Sequence, residues 1–136
     1  MTARDLALTL GFVEVGTALC KGAIGSLDEA AFDAATPLPG WTRRHLVAHL
    51  ASDAEAIGRL LHWASTGERT PMYASAEQRA SDLEGGTRLS GAELSAWFDR
   101  SAQVLDERFA AMTAEGRSWP SALPRTSRSS PASCPR

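Results

Sequence analysis

Residues 38–51 read LPGWTRRHLVAHLA. This stretch decides the fold, because it holds a turn, a helix start and two histidines one helical turn apart. Pro37 and Pro39 fix φ and cannot continue a helix, so TPLPGW is a loop. Thr42 is a natural cap for the helix that follows, read over 43–66 and stopped by Gly67. At about 100° per residue, Leu46, Leu50, Ile57 and Leu61 fall within about 60° of one another, with Val47 and Leu60 on either side. That stripe is the expected buried face. His49 lies on its shoulder, Asp53 about 40° closer to it, and His45 further out. His62 points to the polar side with Glu55 and Arg59. Histidines at i and i+4 can share one metal ion, since neighbouring turns bring both rings to a common point. The same spacing also suits a half-buried histidine bonded to a carbonyl. Asp53 reads either as a partner fixing the tautomer of His49 or as a solvated helix acid.

Outward from this helix the pattern stays helical. Ala, Leu, Glu and Arg dominate while Val, Ile, Tyr and Phe are scarce, so no strand is predicted. A first helix is read over 3–22, amphipathic and ending near Gly22 and Gly25. A short one follows over 27–35, opened by a capping box at Ser26–Glu29. Ser75 caps a helix over 76–85. Ser90–Glu93 is a second capping box, opening a helix over 91–114 whose Leu94, Trp97, Phe98, Val104, Leu105 and Phe109 should face a core. Antiparallel packing is expected, because the connectors are short relative to the helices.

The chain has 136 residues, enough for one domain with a sizeable core, and a formal net charge of −2. That charge gives no field favouring nucleic acid or an anionic membrane. No run approaches the ~18 apolar residues of a membrane span, and the start does not read as a signal peptide, so the expected compartment is the cytoplasm. Cys20 and Cys134 show neither disulfide nor zinc spacing; Cys20 reads as a buried core residue. Residues 1–115 form the expected domain. Residues 116–136 hold four arginines, several prolines and serines, and no acid or histidine. Such a segment reads as a disordered tail or one foreign to the domain.

Three segments, LPGWTRRHLVAHLA, DAEAIGRLLHWASTGERTPMYAS and RASDLEGG, occur in an order and spacing that resembles the amino-terminal metal-binding domain of the mycothiol-dependent maleylpyruvate isomerase family. This family is a branch of the DinB-like four-helix bundles, and the resemblance covers roughly residues 5–114. It implies an all-α, up-down helical bundle. It also implies a divalent metal, usually zinc, held by one histidine of the long second helix and by a Glu and a His four residues apart on the last helix. The first of these corresponds to His49; His45 matches a position that is not the usual ligand. Mycothiol is the implied thiol cosubstrate: zinc favours its thiolate, which adds to an activated double bond of maleylpyruvate, and rotation and elimination give fumarylpyruvate. A helix carrying that Glu/His pair should follow Glu115, but all three histidines lie before residue 63, so the sequence is read as a bundle lacking its last helix and this chain as inactive, by truncation or a shifted frame. The alternatives are a non-enzymatic helical interaction module and a metal-binding subunit completed by a partner. The expected partners are mycothiol and a small-molecule substrate, with no nucleic acid and no membrane. Self-association through an uncovered apolar face is the further expectation.

Overall fold

The computed structural model describes residues 3–114, and these form five helices: α1 (Ala3–Gly25), α2 (Glu29–Phe32), α3 (Arg43–Thr66), α4 (Ala76–Gly86) and α5 (Gly91–Ala114). There is no strand among the described residues beyond an isolated antiparallel bridge between Ala35 and Thr42. The protein is an all-α bundle, as the sequence implies. The expectations for residues 116–136 lie outside the described residues.

Local chemistry fixes the helix starts. Ser75 accepts a hydrogen bond from the Gln78 amide at 3.0 Å and begins α4. At α5 the Ser90 amide donates to Glu93 Oε2 at 2.8 Å, and the Glu93 amide donates to Ser90 Oγ at 3.3 Å, which closes the predicted box. α2 departs from expectation. Its cap is Asp28, which accepts from the Ala31 amide at 2.8 Å, while Ser26 Oγ turns back to donate to the Ala23 carbonyl. The helix is one turn long rather than spanning 27–35, because the backbone of Ala34–Thr36 is committed to pairing with Trp41 and Arg43. α1 runs through Gly22 to Gly25.

The core is built where α3 meets α5. Phe32, Val47, Ala48, Ala51, Leu94 and Phe98 are buried together, with Ile24 the contribution of α1. α3 and α5 run in the same direction: Arg44, in the first turn of α3, donates to the carbonyl of Leu89 just before α5, and further along Arg108 of α5 donates to the carbonyl of Gly58. Helices consecutive in the chain therefore alternate in direction, as expected of an up-down bundle, and α3 and α5 are parallel because α4 lies between them. The segment 67–90, carrying α4, brings the chain back to the start of α3 before α5 begins. α1 runs against α5, with Ile24 beside Leu94 and Lys21 paired to Asp99 at 3.8 Å.

The buried face of α3 also differs from the predicted stripe. It is Val47, Ala48, Ala51, Ala54, Gly58 and Leu61, whereas Leu46 and Leu50 are half-buried and Ile57 is exposed. Small residues let the α5 backbone approach, so the large side chains of α5 supply the bulk and the alanines of α3 form the surface they press on. Two glycines outside α3 mark the tightest contacts. A Cβ on Gly86 would sit 2.7 Å from Ala48 Cβ, and one on Gly91 would sit 2.5 Å from the Phe32 ring.

On α1 the apolar residues form two stripes rather than the single face of an amphipathic helix. Leu6, Leu10, Thr17, Cys20 and Ile24 are at least half-buried, whereas Leu8, Phe12, Val15 and Leu19 on the opposite side are exposed. Cys20 is half-buried rather than sealed in the core. Val104 of α5, read as a core residue, is exposed. By length and composition alone the Arg4–Gly25 segment is sufficient to cross a membrane, which the count of consecutive apolar residues did not register.

Candidate metal and ligand site

The site begins with the turn quoted above. The Trp41 amide donates to the Leu38 carbonyl at 3.0 Å, and Gly40 between them has φ +78°. With Pro39 in the second position and a positive-φ glycine in the third, this is a type II turn, and both residue types are chosen by its geometry. Thr36 and Trp41 lock the loop further: the Thr36 amide and hydroxyl both donate to the Trp41 carbonyl at 2.9 Å. The turn sets the Trp41 indole against α3. Its centroid lies 6.0 Å from the His45 ring and 5.5 Å from the His49 ring, meeting the latter edge-on at 80°.

The two histidines then part company. His45 is the third residue of α3, and its Nδ1 accepts a hydrogen bond from the Thr42 amide at 3.2 Å, with Thr42 Oγ1 2.9 Å away. It completes the start of the helix, where a Glu or Gln usually stands. His45 is thus engaged through Nδ1 with Thr42 at the start of the helix. His49 makes no such bond. Its Nε2 stands 3.4 Å from Asp53 Oδ2, and both side chains are partly exposed, at 29% and 36%. His62 lies apart, partly exposed and 3.3 Å from Glu68.

Asp53 is held by a residue the sequence reading left in a connector. The Tyr73 hydroxyl donates to Asp53 Oδ1 at 2.8 Å. The connector 67–75 is laced to α3: Arg59 Nε donates to the Met72 carbonyl at 2.7 Å, and Thr70 Oγ1 donates to the Arg59 carbonyl at 2.8 Å. The Tyr73 ring has the guanidinium groups of Arg59 and Arg79 each 5.6 Å from its centroid. The available signal was the single tyrosine of the chain, standing in a connector.

Asp53 also lines a cavity of 680 Å³ between α1, α3 and α5, with Cys20, Leu50, Ile57, Phe98 and Phe109 among its walls. The volume falls in the range of about 300–1,000 Å³ usual for small-molecule sites. As a metal centre the donor set is partial. His49 and Asp53 offer one nitrogen and one oxygen that fit neighbouring positions on one ion, and no group of three or more His, Cys, Asp or Glu side chains converges among the described residues.

Fold and site together define a helical-bundle domain with one partly exposed histidine on its second long helix. Residues 16–136 match the family model of the mycothiol maleylpyruvate isomerase N-terminal domain, and the chain belongs to this family. Two solved structures are similar to it. A mycothiol-dependent maleylpyruvate isomerase is 37% identical with a TM-score of 0.75, and a mutant of that enzyme with one histidine replaced by alanine is 36% identical with the same TM-score. In each case 81% of this chain is covered and 47% of the solved one, so the chain spans about half the length of these structures. No curated protein matches it.

Proposed function

We propose that this domain is the metal- and thiol-handling half of a mycothiol-dependent isomerase or transferase acting on a small unsaturated acid, with His49 as its ligand to a divalent ion, zinc in the first instance. The observation that carries the reading is the contrast between the two histidines: Nδ1 of His45 is taken up by Thr42 at the helix start, whereas His49 makes no hydrogen bond to the backbone and pairs with Asp53 at 3.4 Å. When bound, a zinc ion supplies the charge that lowers a thiol's pKa and favours the thiolate. The residues of this chain do the rest. The Leu38–Trp41 turn fixes the indole, the indole restricts the His49 ring, and the cavity beside Asp53 has room for a small acid or part of a thiol. A free Cys20 and a free-thiol cosubstrate both suit the reducing cytoplasm.

The test is a calorimetric zinc titration of the purified chain. Donors from a single helix leave most of the ion's shell to water, so the expected binding is well short of a structural zinc site. Replacing His49→Ala is expected to abolish it, with the fold kept by circular dichroism. Identical isotherms for the two proteins would sink the assignment. Fusing a further helix with Glu and His four residues apart is expected to tighten binding by orders of magnitude.

The exposed stripe Leu8, Phe12, Val15 and Leu19 favours a second reading, a helical interaction module that pairs through α1. In that case the chain sediments as a dimer or larger species, and Phe12→Ser with Leu19→Ser restores the monomer.

A further inference from the structure

Leu8, Phe12, Val15 and Leu19 on the outer face of α1 are 64%, 69%, 59% and 70% exposed. Alternate steps of four and three residues keep them within about 60° of one another, the pattern of a coiled-coil seam. The borders of this stripe are small: Gly11 and Ala18 on one side, Thr9 and Gly16 on the other. A Cβ added to Gly11 or Gly16 would meet nothing within 4 Å, so packing among the described residues does not call for glycine there. Glycine nevertheless weakens a helix. Small borders let the backbone of another helix come close. The stripe also carries no charge to select a charged partner. Beyond the first turn of α1, Glu14 lines the cavity on the inner side and Lys21 pairs with Asp99 of α5. The stripe reads alike in both directions. Turned end for end about a two-fold between Val13 and Glu14, Leu8 comes level with Leu19 of a second copy and Phe12 with its Val15, a ring against a smaller side chain. Aligned in parallel, Phe12 would meet Phe12, and Asp5, one turn before Leu8, would lie against a second Asp5. Reversed, Asp5 comes level with Gly22, and the two helix dipoles run opposite ways.

We propose that the outer face of α1 binds a second copy of this chain, α1 against α1 in opposite directions, about a two-fold between Val13 and Glu14. The proposal rests on the reading of α1 as an interaction helix given above, and adds the partner, the direction and the register. Such a contact is self-complementary and closes at two copies. The helix has 23 residues, a length of about 35 Å, and one narrow seam, so the buried area falls below the ~1,200–2,000 Å² of a stable interface. The expected affinity is therefore micromolar, and the dilute chain is monomeric.

The test combines sedimentation over a dilution series with cross-linking of the full chain. Leu8→Cys and Leu19→Cys are made separately in a background of Cys20→Ser and Cys134→Ser, one of them with a mass label, and circular dichroism checks the fold of each. In the reversed pair the two positions 8 stand about 16 Å apart along the helices, as do the two positions 19, while position 8 is level with position 19. A bis-maleimide shorter than that distance is expected to link the mixed pair at least tenfold more than either variant alone. If the chain dimerises, Phe12→Ser with Leu19→Ser restores the monomer, and each cysteine variant links to itself instead, the reading of α1 stands and the reversed register is refuted. A dimer that the serine pair leaves intact places the contact elsewhere and refutes both. A chain that stays monomeric throughout the micromolar range also refutes both. So does a monomer that floats with phosphatidylcholine vesicles, which would make the stripe a lipid contact, as the length and composition of Arg4–Gly25 allow.

Discussion

Of the three long helices, α1 is the most apolar and the least buried; α3 is nearly balanced between apolar and polar residues and carries most of the core. The inversion shows that fit, rather than greasiness, selects the seam between α3 and α5. Ala48, Ala51, Ala54 and Gly58 gain little from leaving water individually, yet they form the surface on which Leu94 and Phe98 pack with exposures of 0% and 6%. The outward stripe of α1 has larger side chains and no such surface to meet.

The largest expected effect lies in the seam. Leu94→Ala removes a fully buried side chain from the middle of the core and is expected to cost about 2–5 kcal/mol, read from urea unfolding. A loss under 1 kcal/mol would mean that the seam is loose and the comparison with α1 is empty.

An intermediate effect is expected at the ends that the seam brings together. Arg44, by hydrogen bond, and the Gly91 amide, at 2.7 Å, both bind the Glu29 carboxylate and hold its pKa below the usual glutamate range. Glu93 is lowered in the same sense by the amide and hydroxyl of Ser90. With the folded pKa depressed, the unfolded chain binds more protons between the two values, so stability rises with pH there. The contribution is complete above the unfolded glutamate pKa of ~4.3 and is lost as pH falls through the lower folded value. Melting curves are expected to drop steeply below about pH 4, and less steeply for Glu29→Gln. Parallel profiles for the two proteins would show that this contact contributes nothing to acid sensitivity.

The smallest effect is expected on the outer face of α1. Phe12→Ser removes a large side chain that is 69% exposed, and monomer stability is expected to change by no more than about 0.5 kcal/mol. A loss comparable to that of Leu94→Ala would show that this stripe is covered in solution, which would abolish the contrast.

The sequence makes some of this legible and hides the rest for definite reasons. Caps are local, so Thr42, Ser75 and Ser90–Glu93 mark their helices within a residue or so, and the reading of His62 as outward-facing holds. The buried face of α3 was misread because hydropathy weights leucine above alanine, while a close helix approach reverses that preference. The parallel run of α3 and α5 depends on how α4 returns the chain, which no periodicity encodes. His45 was paired with His49 by spacing, yet its partner is the amide three residues back. Tyr73 reaches Asp53 across twenty positions through a connector without a repeat, so nothing local announces it.

Because α3 and α5 point the same way, the positive ends of two helix macrodipoles, each equivalent to about half a unit charge, are brought to the same end of the molecule instead of cancelling against opposite ends. α3 adds to the excess by opening with two arginines, where an acid would ordinarily stand. The acids come from elsewhere in the chain: Glu29 and Asp33, from α2 and its exit, close on Arg44, and Glu29 also takes the first amide of α5. The short helix α2 thus serves as an electrostatic counterweight, and a bundle built with α3 and α5 opposed would have had less need of it.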